Sequence, residues 1–512
     1  MDPISVLGLI ALAGWAFKAS SKATEIRTSP ALPPEEYRAK VAPSKIGRKA
    51  EFDPSLIEIL PEYELVRDLI RAEFPLIFVT GSAGTGKSTF IRWLDHVFDG
   101  EMILAAPTGM AAISIGGVTL HSLCRLPPGW ILKGDIQKNH RRQDIKRAKV
   151  LVIDEISMVS ANLLDATSAF FRANREVDKP FGGIPVVVVG DLFQLPPVVE
   201  SNVRKLVERF YGTARFFNAR SVQPEYIPAT YPVDLRKTYR QSDQRFVDLL
   251  SNIRLGHDLA STVAAINQGC EIADRPPPGA VHLAPRNVEV DRINNRRLEE
   301  IDKPDRHFDA TITNRFRKDR LPSPLKLTLR EGAQVLFTKN DSARQWVNGS
   351  VGIVKSFGRD GITVEILDTQ RVVDVSRVTW EQFEYGWDEA TRKISRIVVG
   401  TYTQLPLMLA WAITIHKSQG KTIDRVHVDL GAGVFASGQT YVALSRCRSI
   451  ETLSLSRELR VSDIIVDAEV RGMHDELMRK VAEVPPDVMH RKVRESLGLS
   501  AGEQASESTL GS

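Results

Sequence analysis

The feature that most constrains this chain is the stretch from Leu76 to Leu94. A short apolar run breaks into a glycine-rich turn, and an amphipathic helix opens at Thr89. The turn has the complete G-x-x-x-x-G-K-[ST] pattern, in the order Gly81, Ser82, Ala83, Gly84, Thr85, Gly86, Lys87 and Ser88. Glycines let backbone N–H groups curl around phosphate oxygens, and the start of the helix adds partial positive charge. The sequence therefore predicts a nucleoside triphosphate site between a buried strand and a helix.

The end of this pattern and a later acid pair predict the chemistry of the site. Lys87 is expected to reach the β- and γ-phosphates, and Ser88 to offer its hydroxyl to Mg²⁺. Asp154 and Glu155 directly follow a second apolar run, 150–153. In a phosphate-loop protein the first acid can hold the Mg²⁺, usually through water, and the second can orient or activate the attacking water. The alternative is a pair of surface acids, which the buried strand before them disfavours.

Three further polar side chains are candidates for the phosphoryl group. Gln194 follows a third apolar run and can hydrogen-bond the γ-phosphate or its water, unless it is only a loop amide. Arg240 precedes a helical pattern, and Arg446 lies on another near the end of the chain. An arginine on a second lobe can stabilise charge on a transferring phosphoryl group. Spacing alone assigns that role to neither arginine.

Composition is typical of a soluble globular protein with several domains. The chain has 512 residues, 26% of them charged, and a net charge of +5. Such a mild positive charge permits a polyanionic partner without requiring one. Cys124, Cys270 and Cys447 lie far apart, which favours a reducing compartment and argues against a disulfide framework or a zinc module.

The N-terminus leaves two interpretations open. Residues 4–17 are apolar and are followed by basic residues, but they are fewer than the roughly 20 that a bilayer span needs. Residues 1–27 are thus either a membrane tether, with the bulk of the protein in the cytoplasm, or a helix that packs on the body or on a partner. Asp2 argues against an ordinary secretory signal. Residues 28–55 are typical of a proline-rich linker.

Seven blocks of the chain resemble a known family in order and spelling. They are GSAGTGKS, APTGMAAISIGGVTLHSL, DEISMVSANLLD, GDLFQLPPV, TYRQ, LAWAITIHKSQG and YVALSRCRS. The match covers about residues 60–456 and resembles the superfamily-one DNA helicases of the Pif (petite integration frequency) type. The segment 158–183 is the most diagnostic part, because it looks like the signature of that family and RecD-like helicases do not usually share it.

The resemblance implies an α/β fold with two RecA-like P-loop NTPase lobes that grip one ATP between them. The first lobe would span 56–234, with a short basic wedge insert at about 124–149. The second would span 235–480 and be interrupted at about 334–403 by a small Src-homology-like β-barrel, which the strands and glycine turns there also favour. Residues 481–512 are expected to be a C-terminal tail that is disordered at its end.

The resemblance also implies roles at the nucleotide. The residues implied to hold Mg²⁺ and ATP are the phosphate loop to Thr89, with Lys87, Ser88 and Asp154. Those implied to act on the phosphoryl group are Glu155, Gln194 and two arginine fingers, Arg240 and Arg446. Gln419 and Gly420 would link the ATP site to a DNA track. One departure concerns the base: Glu64 occupies the position of the usual glutamine. An ionised glutamate cannot donate a hydrogen bond, so the preference for ATP over GTP is open.

The implied activity is ATP-dependent unwinding and single-strand translocation, with a 5′ to 3′ polarity that only the family supplies. The residues implied to touch DNA are Thr108, His121, Asn348, His416, Lys417 and Ser418. The substrates would be single-stranded, forked or tailed DNA, bound by a monomer in repair, recombination or telomere-type maintenance. The alternative is a DNA-stimulated ATPase switch or remodelling scaffold that does not unwind.

Overall fold

The computed structural model describes residues 53–499, except 228, 240–242, 317–320, 344, 359–360, 431–433 and 435. The apolar segment 4–17, most of the linker and the end of the chain from residue 500 lie outside the described residues, so their predictions are not tested. Between residues 53 and 499, no described helix has the length and apolar character needed to cross a membrane.

The chain alternates helices and strands in its first part and is mainly strands in its middle. The strands are β1 (Leu76–Thr80), β2 (Met102–Ala106), β3 (Val118–Thr119), β4 (Val150–Ile153), β5 (Val186–Val189), β6 (Thr230–Asp234), β7 (Glu271–Ile272), β8 (Val281–Ala284), β9 (Arg306–Asp309), β10 (Thr311–Asn314), β11 (Lys326–Leu329), β12 (Gln334–Phe337), β13 (Val351–Phe357), β14 (Gly361–Ile366), β15 (Val372–Ser376), β16 (Val378–Asp388), β17 (Lys393–Gln404), β18 (Leu407–Leu409), β19 (Ala412–Thr414), β20 (Val426–Val428) and β21 (Leu453–Leu455). The α-helices are α1 (Pro61–Arg71), α2 (Lys87–Val97), α3 (Gly109–Ile115), α4 (Leu120–Cys124), α5 (Gln143–Arg147), α6 (Ala161–Arg175), α7 (Arg204–Tyr211), α8 (Gln244–Leu255), α9 (Leu259–Gly269), α10 (Asn287–Glu299), α11 (Ile415–Ser418), α12 (Gln439–Leu444), α13 (Ala468–Glu483) and α14 (Pro486–Ser496).

Each lobe is built on a parallel sheet. The first has the order β3-β2-β4-β5-β1-β6 and the second the order β19-β8-β20-β21-β7. The central strands are runs of valine, leucine and isoleucine that are buried throughout, because helices cover both faces of a parallel sheet. The carboxyl ends of parallel strands lie at one edge, so the loops after β1, β4 and β5 are brought together there.

The insert in the second lobe is antiparallel and larger than predicted. Its main sheet has the order β15-β14-β13-β12-β18, while β9 pairs with β11, and β10 pairs with the long hairpin β16–β17. The predicted start at 334 is therefore too late, because β9, β10 and β11 pair with each other or with the insert rather than with a parallel sheet. Closure of these strands into a barrel stays a prediction.

The hairpin β16–β17 reaches the first lobe. The Tyr385 hydroxyl accepts a hydrogen bond from the Leu104 N–H at 3.0 Å and lies 3.3 Å from the Leu104 carbonyl oxygen, to which it donates. These groups on β2 lie just before the point where the short strand β3 begins to pair. Lys393 also pairs with Asp99 at 2.9 Å. The insert is thus attached to both lobes.

A C-terminal helix packs on the first lobe. Residues 486–496, which lie in the predicted C-terminal tail 481–512, form α14, and this helix packs on α1. Met489 and Val493 are four residues apart, share one helix face and are buried in the core of that lobe. His490 Nε2 lies 2.9 Å from the buried carboxyl of Asp68 on α1.

Asp68 supplies a test of this packing. Burial by itself would raise its pKa, but hydrogen bonds from His490 and Arg67 outweigh burial and lower the pKa of Asp68 to about 2. A carboxyl with a lowered pKa stabilises the fold above its unfolded-state pKa near 4, by about 2 kcal/mol here, and this stability is lost as the pH falls toward 2. Asp68→Asn should therefore lower the melting temperature at pH 7 by about 4 °C.

The difference between Asp68→Asn and wild type should shrink as the pH falls below about 4. Glu495→Gln, which changes an exposed carboxyl on α14, is the control and should melt like wild type. Equal melting of Asp68→Asn and wild type at pH 7 would contradict the attachment of α14 through Asp68.

Candidate nucleotide and nucleic-acid site

The phosphate loop joins β1 to α2 at the carboxyl edge of the first sheet. Gly84 and Gly86 have φ angles of 90° and 82°, which favour glycine. A Cβ on Gly81 would lie 2.5 Å from Thr85 Oγ1 and 2.8 Å from the Leu235 carbonyl oxygen. The glycines of the pattern are therefore required by backbone conformation and by close approach.

Lys87 lies inside the loop that it is predicted to serve. Its Nζ donates to the carbonyl oxygens of Gly81 and Ser82, at 2.9 Å each. Desolvation lowers the pKa of Lys87, and nearby carboxylates oppose that effect. Ser88 is exposed at the start of α2, so its hydroxyl is accessible.

Asp154 and Glu155 form a carboxyl pair at the end of β4. Asp154 Oδ1 accepts a hydrogen bond from the Glu155 N–H at 2.8 Å, and Glu155 has a left-handed φ of 49°. Burial raises the pKa of both carboxyls, and for Asp154 the neighbouring charge of Glu155 adds to the effect. The buried carboxyl of Asp154 and the accessible hydroxyl of Ser88 are hard oxygen donors of the kind that fits Mg²⁺, and the half-buried carboxyl of Glu155 lies beside them.

Gln419 reaches across from the second lobe to this carboxyl pair. Its Nε2 lies 3.0 Å from Glu155 Oε2 and 3.1 Å from Gln194 Oε1. The next residue, Gly420, has a φ of 75°, which turns the chain directly after Gln419. The structure thus brings together three of the predicted residues, two from one lobe and one from the other.

Arg446 is buried in the second lobe, at 1% exposure. Its Nη1 donates to the carbonyls of Ser418 at 3.2 Å and Lys421 at 3.3 Å, and its Nε to the Val442 carbonyl at 2.7 Å. The guanidinium therefore braces the loop that carries Gln419. The other predicted finger, Arg240, lies outside the described residues.

The predicted DNA residues of the first lobe lie on short helices at the edge of the sheet. Thr108 caps α3, since its Oγ1 accepts from the Ala111 N–H at 3.2 Å. Together with His121 it lines a cavity of about 170 Å³, which Glu381 and Phe383 of the hairpin close on the other side. The sequence did not predict that the hairpin lines this cavity, because the hairpin is more than 200 residues away from Thr108 and His121 along the chain.

The residues of the second lobe and the insert that are predicted to touch DNA differ in their exposure to solvent. Lys417 is exposed and His416 half-buried, whereas Ser418 is fully buried and donates its hydroxyl to the Ile415 carbonyl at 2.7 Å. The single turn of α11 directs the Ser418 side chain inward, and its contact with DNA stays a prediction. Asn348 of the insert accepts from the Lys421 ammonium at 2.6 Å.

The basic segment 124–149 is less positive than its sequence indicates. Several of its basic side chains pair with acids, namely Lys138 with Glu176 at 3.0 Å, Arg142 with Asp144 at 2.7 Å and Lys149 with Glu101 at 2.6 Å. This pairing reduces the charge that the segment offers to a nucleic acid.

Comparison with known proteins identifies the family. The PIF1-like helicase model matches residues 63–262. The ATP-dependent DNA helicase Pif1 of Bdellovibrio bacteriovorus is 34% identical over 428 residues, which are 81% of this chain and 91% of that protein. This chain belongs to the PIF1-like helicase family. The ATP-dependent DNA helicases RRM3 of Saccharomyces cerevisiae and PIF1 of Homo sapiens are 31% and 36% identical over 78% of this chain, which spans 65% and 60% of their lengths.

Solved structures confirm the RecA-like α/β fold. Bacteroides Pif1 in complex with ADP-AlF4 matches with a TM-score of 0.76 and 34% identity over 83% of this chain and 98% of that one. Bacteroides Pif1 bound to ssDNA has a TM-score of 0.59 at the same identity, over 82% and 97%. The Candida albicans Pif1 helicase has a TM-score of 0.60 at 30% identity, over 82% and 100%.

Neighbouring residues of α11 provide a matched test of the DNA track. Lys417→Ala should weaken single-stranded DNA binding, since an exposed ammonium neutralises a phosphate, and should reduce the slope of log K against log salt by about 0.7. Ser418→Ala should leave the affinity unchanged, because its hydroxyl is used inside the lobe. Fluorescence anisotropy across a salt series measures both. An equal loss of affinity in the two variants would contradict this placement.

Proposed function

We propose that this protein is an ATP-dependent DNA helicase that moves 5′ to 3′ along single-stranded DNA. The observation that carries the proposal is the contact of Gln419, on the second lobe, with both Glu155 and Gln194 on the first. A hydrolysis site with parts from two lobes is complete only when they are together. Turnover is therefore linked to the relative position of the lobes, which is what a motor requires.

At the nucleotide, each residue has a separate task. Lys87 and the loop N–H groups bind the phosphates, and Ser88 and Asp154 would hold Mg²⁺, which neutralises developing charge when bound. Glu155 orients the attacking water and takes up its proton. Gln194 detects whether the γ-phosphate is present. We assign the phosphoryl charge to Arg446 and Arg240, with the burial of Arg446 near Glu155 as support for the first.

The base preference depends on Glu64 in this chain. Glu64 can accept a hydrogen bond from the amino group of adenine but cannot donate one. Arg67 Nη1 lies 3.7 Å from Glu64 Oε1, so the carboxylate has a cationic neighbour. ATP is the proposed nucleotide because the relatives are ATP-dependent DNA helicases.

The DNA path in this proposal crosses both lobes. Thr108 and His121 would hold the strand on the first lobe, His416 and Lys417 on the second, with Asn348 of the insert beside them. Such contacts are mainly to phosphates, so binding should be salt-sensitive and largely independent of sequence. Relatives support the partner class, since solved structures include Bacteroides Pif1 bound to ssDNA and two coordinating Pif1 helicases that unwind DNA at forked dsDNA.

A single chain contains both halves of the ATP site, so we propose that a monomer is the translocating unit. Location in the cytoplasm, and membrane contact through residues 4–17, stay predictions from the sequence. Residues 4–17 lie outside the part of the chain that the structure describes.

The test of the hydrolysis site is Glu155→Gln. The amide keeps the shape of the side chain but cannot take a proton, so kcat should fall by at least about 100-fold while the affinities for ATP and single-stranded DNA stay the same. Steady-state ATPase assays with and without DNA, and equilibrium binding, measure these quantities.

Glu101→Gln is the control for Glu155→Gln, because it removes a carboxyl that pairs with Lys149 at the surface. It should hydrolyse ATP like wild type. Undiminished ATPase in Glu155→Gln would remove Glu155 from its proposed role.

A further inference from the structure

A buried tyrosine connects the second lobe to the phosphate loop. The Tyr441 hydroxyl, on α12, accepts a hydrogen bond from the Ala83 N–H at 2.9 Å and donates to Asp191 Oδ2 at 2.9 Å. Arg254, on α8, donates from Nε to Asp191 Oδ1 at 2.9 Å. Asp191 has 0% exposure, Tyr441 3% and Arg254 8%, so water has little access to these groups.

These four residues come from both lobes. Ala83 and Asp191 lie in the loops after β1 and β5 of the first lobe, whereas Tyr441 and Arg254 lie on helices of the second. Phe193 extends the network, since its N–H donates to Asp191 Oδ1 at 3.2 Å and its ring centroid lies 4.7 Å from the Arg254 guanidinium. The first and second lobes thus meet through buried charged groups that hydrogen-bond to one another.

The charges of the network support this arrangement of donors. Burial raises the pKa of Tyr441, and the nearby carboxylate of Asp191 raises it further, so the hydroxyl stays protonated and donates. Burial would lower the pKa of Arg254, but Asp191 and its neighbours raise it, so the guanidinium stays charged. Removing one partner of a buried ion pair leaves the other charge buried and unpaired, which is strongly destabilising. Asp191 and Arg254 therefore keep each other in place.

The position of Tyr441 in the chain connects this network to the hydrolysis site. Arg446 follows it by five residues, directly after α12, and donates back to the Val442 carbonyl on that helix. The same guanidinium braces the loop of Gln419, whose amide contacts Glu155. The hydrogen bond between Tyr441 and the phosphate loop therefore determines the positions of Arg446 and Gln419 relative to the nucleotide site.

We propose that Tyr441 is a positioning residue for ATP hydrolysis. Its hydroxyl, which bonds Asp191 and thereby the Asp191–Arg254 pair, fixes the position of α12 relative to the phosphate loop. Arg446 and Gln419 are then aligned with Glu155. This inference rests on the proposed function and adds to it a set of residues outside the phosphate and DNA contacts assigned above. The competing interpretation is that the network only stabilises the lobe interface.

The test is Tyr441→Phe, which removes only the hydroxyl. If the hydroxyl positions Arg446 and Gln419, kcat of the DNA-stimulated ATPase should fall about tenfold, the equivalent of about 1.4 kcal/mol. The KM for ATP and the affinity for single-stranded DNA should change by less than roughly twofold, because the substitution removes no group that is assigned to the phosphates or to DNA. Arg254→Lys, which keeps the charge but loses the Nε geometry, should lower kcat in the same direction.

Tyr231→Phe is the matched control. Tyr231 is equally buried, at 1% exposure, and its hydroxyl donates to the Val484 carbonyl at 2.8 Å, away from the nucleotide site. Both phenylalanine variants should lose similar thermal stability, and only Tyr441→Phe should lose turnover.

Three results would overturn the inference. They are an unchanged kcat in Tyr441→Phe, an equal loss of kcat in Tyr231→Phe, and a raised KM for ATP with kcat unchanged, which would assign Tyr441 to nucleotide binding. Failure of the proposed function has a different signature, since wild-type protein would then show no ATPase that single-stranded DNA stimulates.

Discussion

The arrangement of the site depends on a pair of carboxyl groups that the fold buries at the end of β4. Asp154 and Glu155 are adjacent in sequence and are both desolvated, so their negative charges need partners. The first lobe supplies Lys87, and the second lobe supplies the amide of Gln419. The chemistry of one acid pair thus explains why the two lobes must meet where they do.

The same constraint explains how distant parts of the chain act together. Arg446 holds the carbonyls on either side of Gln419, and Lys421 of that loop donates to Asn348 of the insert. The insert also contacts β2 of the first lobe through Tyr385. Nucleotide site, loop and insert are therefore connected by direct hydrogen bonds. A change in lobe position must move them together or break these bonds.

The sequence predicts the local parts of this site well. The phosphate loop, the acid pair and Gln194 each follow an apolar run, and parallel strands place such ends at one edge of the sheet. Ser418 could not be assigned from sequence, because the single turn of α11 determines whether its side chain faces the solvent or the lobe. The first strands of the insert and the helix α14 depend on contacts with distant residues, so the sequence does not place them in the fold. Tyr441 was missed for the same reason: its partners, Ala83 and Asp191, are hundreds of residues away.

The most direct test of the motor is strand displacement on a fluorescent partial duplex, with a 5′ tail or a 3′ tail of equal length. The proposed motor predicts that ATP drives displacement, and the proposed 5′ to 3′ polarity predicts displacement from the 5′ tail only. Displacement from the 3′ tail alone would contradict the polarity. DNA-stimulated ATPase without displacement from either tail would contradict the helicase and leave a switch or a translocase.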